Sequence, residues 1–357
     1  MATIMAGALP IVALVGIVIL IVVVHEMGHF FTAKLSGVKV EEFGIGYPPR
    51  VFKVQRGETI YSWNLLPFGG FVRMVGEEDP SEPRSLAGKS VGIRAMVLSA
   101  GSIMNVLLPI LLFTGSFMIP RDIAIADVRV EAVSPGSPAE GAGFQPGDVV
   151  RELNGRPIRN TGDIFYQVQL HLGSPVTMVV EREGRPVTLR ATPRFSHPAE
   201  QGALGIEIIQ ENMTIGTESY PIWRAVPMSV RTLGETFILF RNEVTGWIVG
   251  EKSPVLAGPV GIAQLAGQVA EAGPSPLLAF AAFISINLAI INLLPIPGLD
   301  GGRLIFVALE AVRRGKRISP KREGMVHLIG FGVLITGILL ITYFDIMRII
   351  RGESLFP

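Results

Sequence analysis

Long apolar runs without any charged residue recur along the chain. Asp, Glu, Lys and Arg are absent from four stretches, at residues 1–25, 95–120, 272–299 and 324–344. A helix needs about 20 mostly apolar residues to cross the roughly 30 Å of hydrocarbon in a bilayer. The pattern therefore predicts four transmembrane helices, at residues 1–33, 95–120, 272–302 and 324–346. A cleaved signal peptide is the alternative for the first, although no Lys or Arg precedes Lys34 to form its basic leading region.

The basic residues cluster in two connections between these runs. Nine Lys or Arg lie in residues 34–94, and seven lie in residues 303–323. Because positively charged connections stay on the cytoplasmic side, we expect both connections inside and both termini outside, in a bacterial cytoplasmic membrane. Arg348 and Arg351 lie in the tail at residues 347–357, which is expected outside, and they disagree with this distribution of positive charge.

Residues 121–210 alternate strand-like apolar runs with turn signals, which predicts a separately folded α+β domain outside the membrane. Within it, residues 136–155 resemble the helix, turn and strand signature of a PDZ domain. The resemblance implies a circularly permuted PDZ domain whose groove binds an extended peptide or a new C-terminus by strand addition. Its carboxylate-binding loop would be formed by Leu204, Gly205 and Ile206. An ordinary closing strand is the alternative for these three residues.

The next region, residues 211–271, has apolar residues at spacings of three and four between Trp223 and Trp247, which predicts a helix. Charged residues such as Arg231 and Glu235 make this helix too polar to span a membrane. It therefore lies on the outer membrane surface or packs on the spans. A plain amphipathic core helix is the third alternative.

The overall composition agrees with a membrane protein. Hydrophobic residues make up 49% of the 357 residues and charged residues 17%, against roughly 25% charged in soluble domains. With 31 basic and 30 acidic residues, no nucleic-acid surface is expected. Cysteine is absent, so a bound metal would need His, Asp or Glu ligands.

The first apolar stretch ends in two histidines four residues apart. On a helix, His25 and His29 lie on one face and can bind one zinc ion, while the adjacent Glu26 reaches a water on the metal. The chain has only five histidines, and ionisable groups at membrane depth are costly and usually functional. Two hydrogen-bonded core histidines are the alternative.

A catalytic zinc site needs a third protein ligand. Asp300 is the first candidate, because it lies where prolines and glycines interrupt the third predicted span, and irregular backbone at membrane depth mainly lines protein cavities. The predicted topology also brings the inner ends of the first and third spans to one side. Glu310 is the second candidate, and His327 is interpreted as structural because no motif surrounds it.

Several motifs together resemble the site-2 protease family of bacterial intramembrane zinc metalloproteases. They are the PDZ signature and residues 25–29, 67–74, 99–105, 258–263 and 292–302. The resemblance implies a membrane α-helical fold in which four transmembrane helices form the metalloprotease core and one PDZ domain is inserted. It implies that zinc is held by His25, His29 and Asp300. It further implies that Glu26 is the general base.

The same resemblance implies how a substrate is held. A membrane-associated, β-hairpin-like loop at residues 67–74 would dip toward the active site, and two asparagines would contribute side chains. The implied substrate-binding residues are Gly69, Gly70, Phe71, Val72, Asn105 and Asn292. Members of the family with tandem PDZ domains are known, whereas one PDZ signature is evident in this chain.

The resemblance implies that single-span membrane proteins, such as anti-sigma factors or remnant signal peptides, are cut within the bilayer in regulated intramembrane proteolysis. The active site would face the cytoplasm, and the PDZ domain would lie outside. Two alternatives stay open. One is a membrane-anchored zinc peptidase that cuts soluble or misfolded proteins, and the other is a non-catalytic scaffold that binds partners through the PDZ domain.

Overall fold

The computed structural model describes residues 2–198, 201–249 and 257–353, with the side chains of all but 2–11, 67 and 68. The helices in these residues are α1 (Ala2–Leu35), α2 (Val91–Met118), α3 (Pro138–Ala142), α4 (Thr161–Leu170), α5 (Ile222–Ile248), α6 (Pro259–Glu271), α7 (Pro274–Leu293), α8 (Asp300–Val312) and α9 (Pro320–Ile350). The strands are β1 (Val40–Arg56), β2 (Thr59–Met74), β3 (Arg121–Val133), β4 (Val149–Leu153), β5 (Arg156–Pro157), β6 (Val176–Arg182), β7 (Arg185–Ala191) and β8 (Ile206–Glu218). The chain forms two compact units, Met1–Ser116 with Leu256–Pro357, and Phe117–Val255.

Four helices are long and apolar enough to cross a membrane. They are α1 from Val12 onward, α2, α7 and α9, with 24, 28, 20 and 31 residues. At about 1.5 Å of rise per residue, each reaches the roughly 30 Å of a hydrocarbon core. The prediction of four membrane-spanning helices is therefore confirmed.

The third apolar stretch is interrupted earlier than predicted. Instead of a helix over residues 272–302, α7 ends at Leu293 and α8 begins at Asp300. Pro295 and Pro297 lack backbone N–H groups and disfavour helical backbone before them. Gly298 then adopts a φ of 99°, a conformation that favours glycine.

Residues 303–323, predicted as a loop, begin instead with most of α8. Val307 of this helix is 7% exposed and belongs to the hydrophobic core of the first unit. Leu304, three residues earlier, packs against the same core. Burial of this helix-spaced apolar face explains why a segment rich in basic residues is helical as far as Val312.

β1 and β2 form an antiparallel ribbon in the first unit, with Val40 opposite Met74 and Ile45 opposite Gly70. Its base packs with α1, α2 and α8 in a core of Ala33, Val38, Val40, Met74, Leu86, Val97, Leu98 and Val307. Its far end exposes large apolar side chains: Val51, Phe52, Trp63, Leu65 and Leu66. The loop predicted at residues 67–74 is thus the end of a longer strand, β2, which contacts α1.

The second unit contains the α+β domain predicted at residues 121–210. Its antiparallel sheet has the strand order β7-β6-β4-β3-β8, and β5 pairs with β4. Val130, Leu153, Val176 and Met178 have no exposed surface and lie in its core. β8 forms one edge of this sheet.

The region at residues 211–271 divides into the end of β8, α5 and α6, and α6 belongs to the first unit. α5 packs against α4 of its own unit. The Asn242 amide donates to the carbonyl oxygen of Gln169 at 2.8 Å, and the Tyr166 hydroxyl donates to Glu235 at 2.8 Å. One face of α5 therefore serves the second unit, while Trp223 on α5 is 73% exposed.

Candidate metal centre

Two imidazoles of α1 face a common point. His25 and His29 lie one helical turn apart, are 7% and 6% exposed, and bring their Nε2 atoms within 3.2 Å of each other. The Nδ1 atom of His29 donates a hydrogen bond of 2.8 Å to the carbonyl oxygen of Val97. Because that nitrogen carries the proton, the Nε2 lone pair of His29 is free to bind a cation.

A carboxylate from a distant segment completes the group. Asp300 is the first residue of α8, and its Oδ2 atom lies 3.2 Å from the Nε2 atoms of both His25 and His29. Gly301 and Gly302 allow α8 to start against the preceding loop, since a Cβ atom on Gly301 would lie 2.5 Å from the carbonyl carbon of Leu293. The interrupted backbone after α7 thus positions Asp300.

The donor set fits zinc. Three ligand atoms at mutual distances of 3.2 Å match one face of a tetrahedron, whose edge is about 3.3 Å when the metal–ligand bonds are about 2.0 Å. Two imidazole nitrogens and one carboxylate oxygen are typical ligands of a catalytic zinc ion. Among the described residues, no other group of three His, Asp or Glu side chains converges in this way.

Glu26 borders the same centre, beside the edge of β2. Its side chain lines the same cleft as Val72 of β2. A Cβ atom on Gly70 would lie 3.3 Å from Cγ of Glu26 and 3.1 Å from the carbonyl oxygen of Gly44. The absence of a side chain at Gly70 therefore lets the strand approach the carboxylate.

A cleft of about 400 Å³ opens over these residues. Its lining includes His25, Glu26, His29, Asp300, Gly70, Phe71, Val72, Tyr47, Met74, Glu77, Leu98 and Arg303. Burial and then the charge of Glu26 raise the pKa of the Tyr47 phenol, so this group stays protonated at neutral pH. The phenol ring stacks on Phe71, with ring centres 6.3 Å apart.

Three of the six residues expected to bind substrate are not among the residues that line the cleft. Gly69, Asn105 and Asn292 do not line the cleft, although Gly70, Phe71 and Val72 do. Asn105 has no exposed surface and lies behind His25, with its amide nitrogen 3.5 Å from Nδ1 of that ring. Asn105 thus contacts the predicted ligand His25, and its role toward a substrate stays a prediction.

The second candidate for the third ligand is engaged elsewhere. Glu310 accepts hydrogen bonds from Arg94 at 2.5 Å and from Arg317 at 3.1 Å. Although burial opposes the charged form, these guanidinium groups hold the pKa of Glu310 below its ordinary value. Glu310 therefore forms a buried ion-pair network and is outside the ligand cluster.

Sequence reasoning missed two charged residues of the cleft. The Nη1 atom of Arg303 donates to Oε2 of Glu77 at 2.7 Å, and the backbone N–H of Met74 donates to Oε1 of the same carboxylate at 3.2 Å. Glu77 therefore ties the end of β2 to α8. The spacing of Arg303, three residues after Asp300 on a helix, is a signal that could have indicated its position near the site.

In the second unit, the residues predicted to bind a peptide carboxylate precede β8. Leu204 is 3% exposed, and its carbonyl oxygen accepts a hydrogen bond from the N–H of Ala139 at 3.0 Å. Gly205 has a φ of 77°, and Ile206 pairs with Val133 at the start of β8. A loop with left-handed backbone followed by an edge strand is compatible with both of the sequence-based alternatives.

Gly101 of α2 makes room for the two imidazoles. A Cβ atom at this position would lie 2.6 Å from Cε1 and 2.7 Å from Nε2 of His25.

We expect Gly101→Ala to displace the rings and weaken zinc binding about 10- to 100-fold, as changes around metal ligands commonly do. Gly92→Ala is the matched control, because Gly92 on the same helix has no neighbour within 4 Å. Equal zinc affinities for the two variants, measured by chelator competition, would contradict this account.

The chain resembles known proteins over most of its length. Residues 13–337 match peptidase family M50. The chain is 37% identical to CPE1693 of Clostridium perfringens, over 92% of this chain and 95% of that protein. It is 30% identical to the zinc metalloprotease RasP of Oceanobacillus iheyensis, over 92% of this chain and 96% of that protein. It is also 30% identical to RasP of Geobacillus kaustophilus, over 91% and 94% of the two chains.

One solved structure resembles a part of the chain. The PDZ domain of the SdrC-like protein Lmo2051 of Listeria monocytogenes is 16% identical, covering 24% of this chain and 88% of that one, with a TM-score of 0.21. This score carries no argument about the fold. The match to peptidase family M50 does identify the family, since it includes His25, His29 and Asp300 and nearly the whole first unit. This protein therefore belongs to peptidase family M50, the site-2 protease family, and is a membrane zinc metalloprotease.

Proposed function

We propose that this protease hydrolyses peptide bonds within the transmembrane segments of single-span proteins, such as anti-sigma factors or remnant signal peptides, in regulated intramembrane proteolysis. The observation that carries the proposal is the location of His25, Glu26 and His29 within α1, a helix long and apolar enough to span a membrane. A substrate that reaches these residues must itself enter the bilayer. The exposed apolar side chains at the far end of the β1–β2 ribbon support contact with lipid as well.

An extended substrate segment needs new partners for its backbone groups, because unpaired N–H and C=O groups are costly in hydrocarbon. β2 pairs with β1 along one edge only, among the described strands, and its residues Gly70, Phe71 and Val72 line the cleft. We propose that the substrate adds to β2 as a strand. Asn292, half-buried at the end of α7, would hydrogen-bond the same segment.

Glu26 is the residue proposed to move the proton. His25, His29 and Asp300 would hold the zinc ion, which would act as a Lewis acid on the scissile carbonyl and lower the pKa of water. The Glu26 carboxylate accepts the proton of the attacking water and passes it to the leaving amine nitrogen. The close approach of Gly70 to Glu26 keeps this carboxylate beside the strand proposed to hold the substrate.

The proposed arrangement in the cell follows from charge. The basic connections support a metal centre toward the cytoplasm, with both termini and the PDZ domain outside a bacterial cytoplasmic membrane. There the PDZ domain would exclude substrates with large uncut ectodomains, and Leu204, Gly205 and Ile206 would bind a new C-terminus. The scaffold alternative disagrees with the zinc-protease family membership.

The site of cleavage tests this proposal. Full-length protein in lipid vesicles is mixed with a single-span substrate whose ectodomain has been removed, and the fragments are identified by mass spectrometry. We expect cuts inside the apolar segment. As a control, the same substrate with its ectodomain intact should be cut at least about 10-fold more slowly. Cuts confined to soluble regions, or to an added unfolded soluble protein, would instead support the membrane-anchored peptidase.

A further inference from the structure

Helix α9 makes two buried polar contacts with the rest of its unit. Of its 31 residues, only His327 and Asp345 are buried. Each accepts a hydrogen bond from a glycine N–H in another segment: Gly298 donates to Nδ1 of His327 at 3.0 Å, and Gly261 donates to Oδ2 of Asp345 at 2.7 Å. At about 1.5 Å per residue, the two contacts lie about 27 Å apart along the helix axis.

Most of the remaining side chains of α9 are exposed, and they are largely apolar. In a bilayer, apolar surface gains little by leaving lipid for protein, so close backbone packing and hydrogen bonds decide where a helix sits. The two polar contacts therefore have a larger share in placing α9 than its apolar surface has. One of them touches the segment that carries a metal ligand.

The contact at His327 is two residues from Asp300. Gly298 has a φ of 99°, and a Cβ atom there would lie 3.1 Å from the backbone nitrogen of Phe331. Gly330 of α9 presses on the same loop, since a Cβ atom on it would meet the carbonyl group of Pro297, with 2.6 Å to the carbonyl carbon. His327, Gly330 and Phe331 are spaced by three and four residues, so one face of α9 supports the loop.

The ring of His327 also contacts α8. Phe306 lies with its ring centre 5.3 Å from that of the imidazole. Because Nδ1 accepts a hydrogen bond from the Gly298 N–H, the proton of a neutral His327 is on Nε2. The side chain thus holds the backbone before Asp300 and packs on the helix after it.

We propose that His327 and Gly330 are positioning residues that fix the carboxylate of Asp300 against His25 and His29. The inference rests on the proposed metal ligands, and it assigns a role to a histidine outside the ligand set. Without the acceptor at His327, the loop loses its hydrogen bond to α9. With a methyl group at Gly330, the loop is pushed away from the helix. Either change moves the Asp300 carboxylate away from the Nε2 atoms of His25 and His29.

The test is zinc affinity, measured on the full chain in detergent by competition with a chelator. We expect His327→Ala to weaken binding about 10- to 100-fold, which is usual for residues that orient metal ligands. His327→Asn keeps an acceptor at the position of Nδ1 and should retain affinity within about 3-fold, well below the roughly 10- to 100-fold loss expected for His327→Ala. His327→Gln places its polar atoms near Nε2 instead, and should resemble His327→Ala.

Gly330→Ala provides an independent variant, because it leaves the histidine intact. Gly332→Ala is its matched control, since Gly332 on the same helix has no neighbour within 4 Å. We expect weaker zinc binding for Gly330→Ala alone. Cobalt absorption spectra of the same variants should change with the affinity, because they report the coordination geometry.

Asp345→Ala distinguishes positioning from general stability. It breaks the other attachment of α9, and should lower the unfolding temperature while leaving zinc affinity unchanged. The inference is overturned if His327→Ala binds zinc as tightly as the unmodified protein, or if Asp345→Ala weakens binding equally. Failure of the unmodified protein to bind zinc through His29, tested with His29→Ala, would instead overturn the proposed metal ligands.

Discussion

Replacing Glu26 by Gln should abolish most of the protease activity while zinc stays bound. The amide keeps the size of the side chain but cannot accept the proton of the attacking water, and general-base catalysis contributes about 10²- to 10⁴-fold to rates. We expect zinc to stay because the three ligand atoms that lie 3.2 Å from one another belong to His25, His29 and Asp300, and Glu26 contributes none of them. The measurement is the initial cleavage rate of a single-span substrate in vesicles, together with the zinc content per chain.

Glu41→Gln is a suitable control, because Glu41 is an exposed carboxylate of β1 and its loss should leave the rate unchanged. If Glu26→Gln cleaves at the unmodified rate, Glu26 is not the base. If the variant instead loses its zinc, the carboxylate has a part in binding the metal, and the division of roles between Glu26 and Asp300 is wrong.

Asp300→Ala should lose both zinc and activity. Removing one of three protein ligands leaves two imidazoles to hold the ion, so we expect affinity to fall by more than the roughly 100-fold seen for residues that merely orient ligands. Thermal unfolding with and without zinc should show the difference, since the stabilisation of the folded state by a bound ligand grows with the logarithm of its affinity. For this variant, added zinc should no longer raise the unfolding temperature.

Glu310→Gln is the contrasting variant. Glu310 lies in the same helix, α8, but its carboxylate pairs with Arg94 at 2.5 Å. Breaking a buried ion pair costs about 3–5 kcal/mol of folding stability. We therefore expect a lower unfolding temperature with zinc affinity preserved. The opposite result, in which Glu310→Gln loses zinc and Asp300→Ala retains it, would exchange the roles of the two acids.

Much of the candidate site follows from short-range patterns. The spacing of His25 and His29 guarantees that they share a helix face, because residues i and i+4 are neighbours on any α-helix. Four apolar stretches likewise predict four spanning helices, since the bilayer sets one minimum length for all of them. The interruption of the third stretch was also visible, because Pro295 and Pro297 cannot continue a regular helix.

Other features depended on residues far apart in the chain. Local pattern alone could not predict that α8 is a helix, because its stability comes from packing Val307 against Ala33 and Val97. Asn105 was assigned to substrate binding, yet it lies behind His25, 80 residues away in sequence. Gly101 lies in the motif at residues 99–105 and His327 in none, but in both cases the contacts with distant segments become visible only in the tertiary structure.

Local sequence patterns are enough to predict the membrane-spanning helices, the paired histidines with their neighbouring glutamate, and the separate domain between the second and third spans. These properties arise from apolar length and helical periodicity, which act over a few turns of one segment. Which of the two acids converges with the imidazoles depends, by contrast, on long-range packing. Asp300 and Glu310 occupy one helix, and the choice between them depends on which lies 3.2 Å from the imidazoles and which lies beside Arg94. That outcome is set by packing between segments more than 200 residues apart.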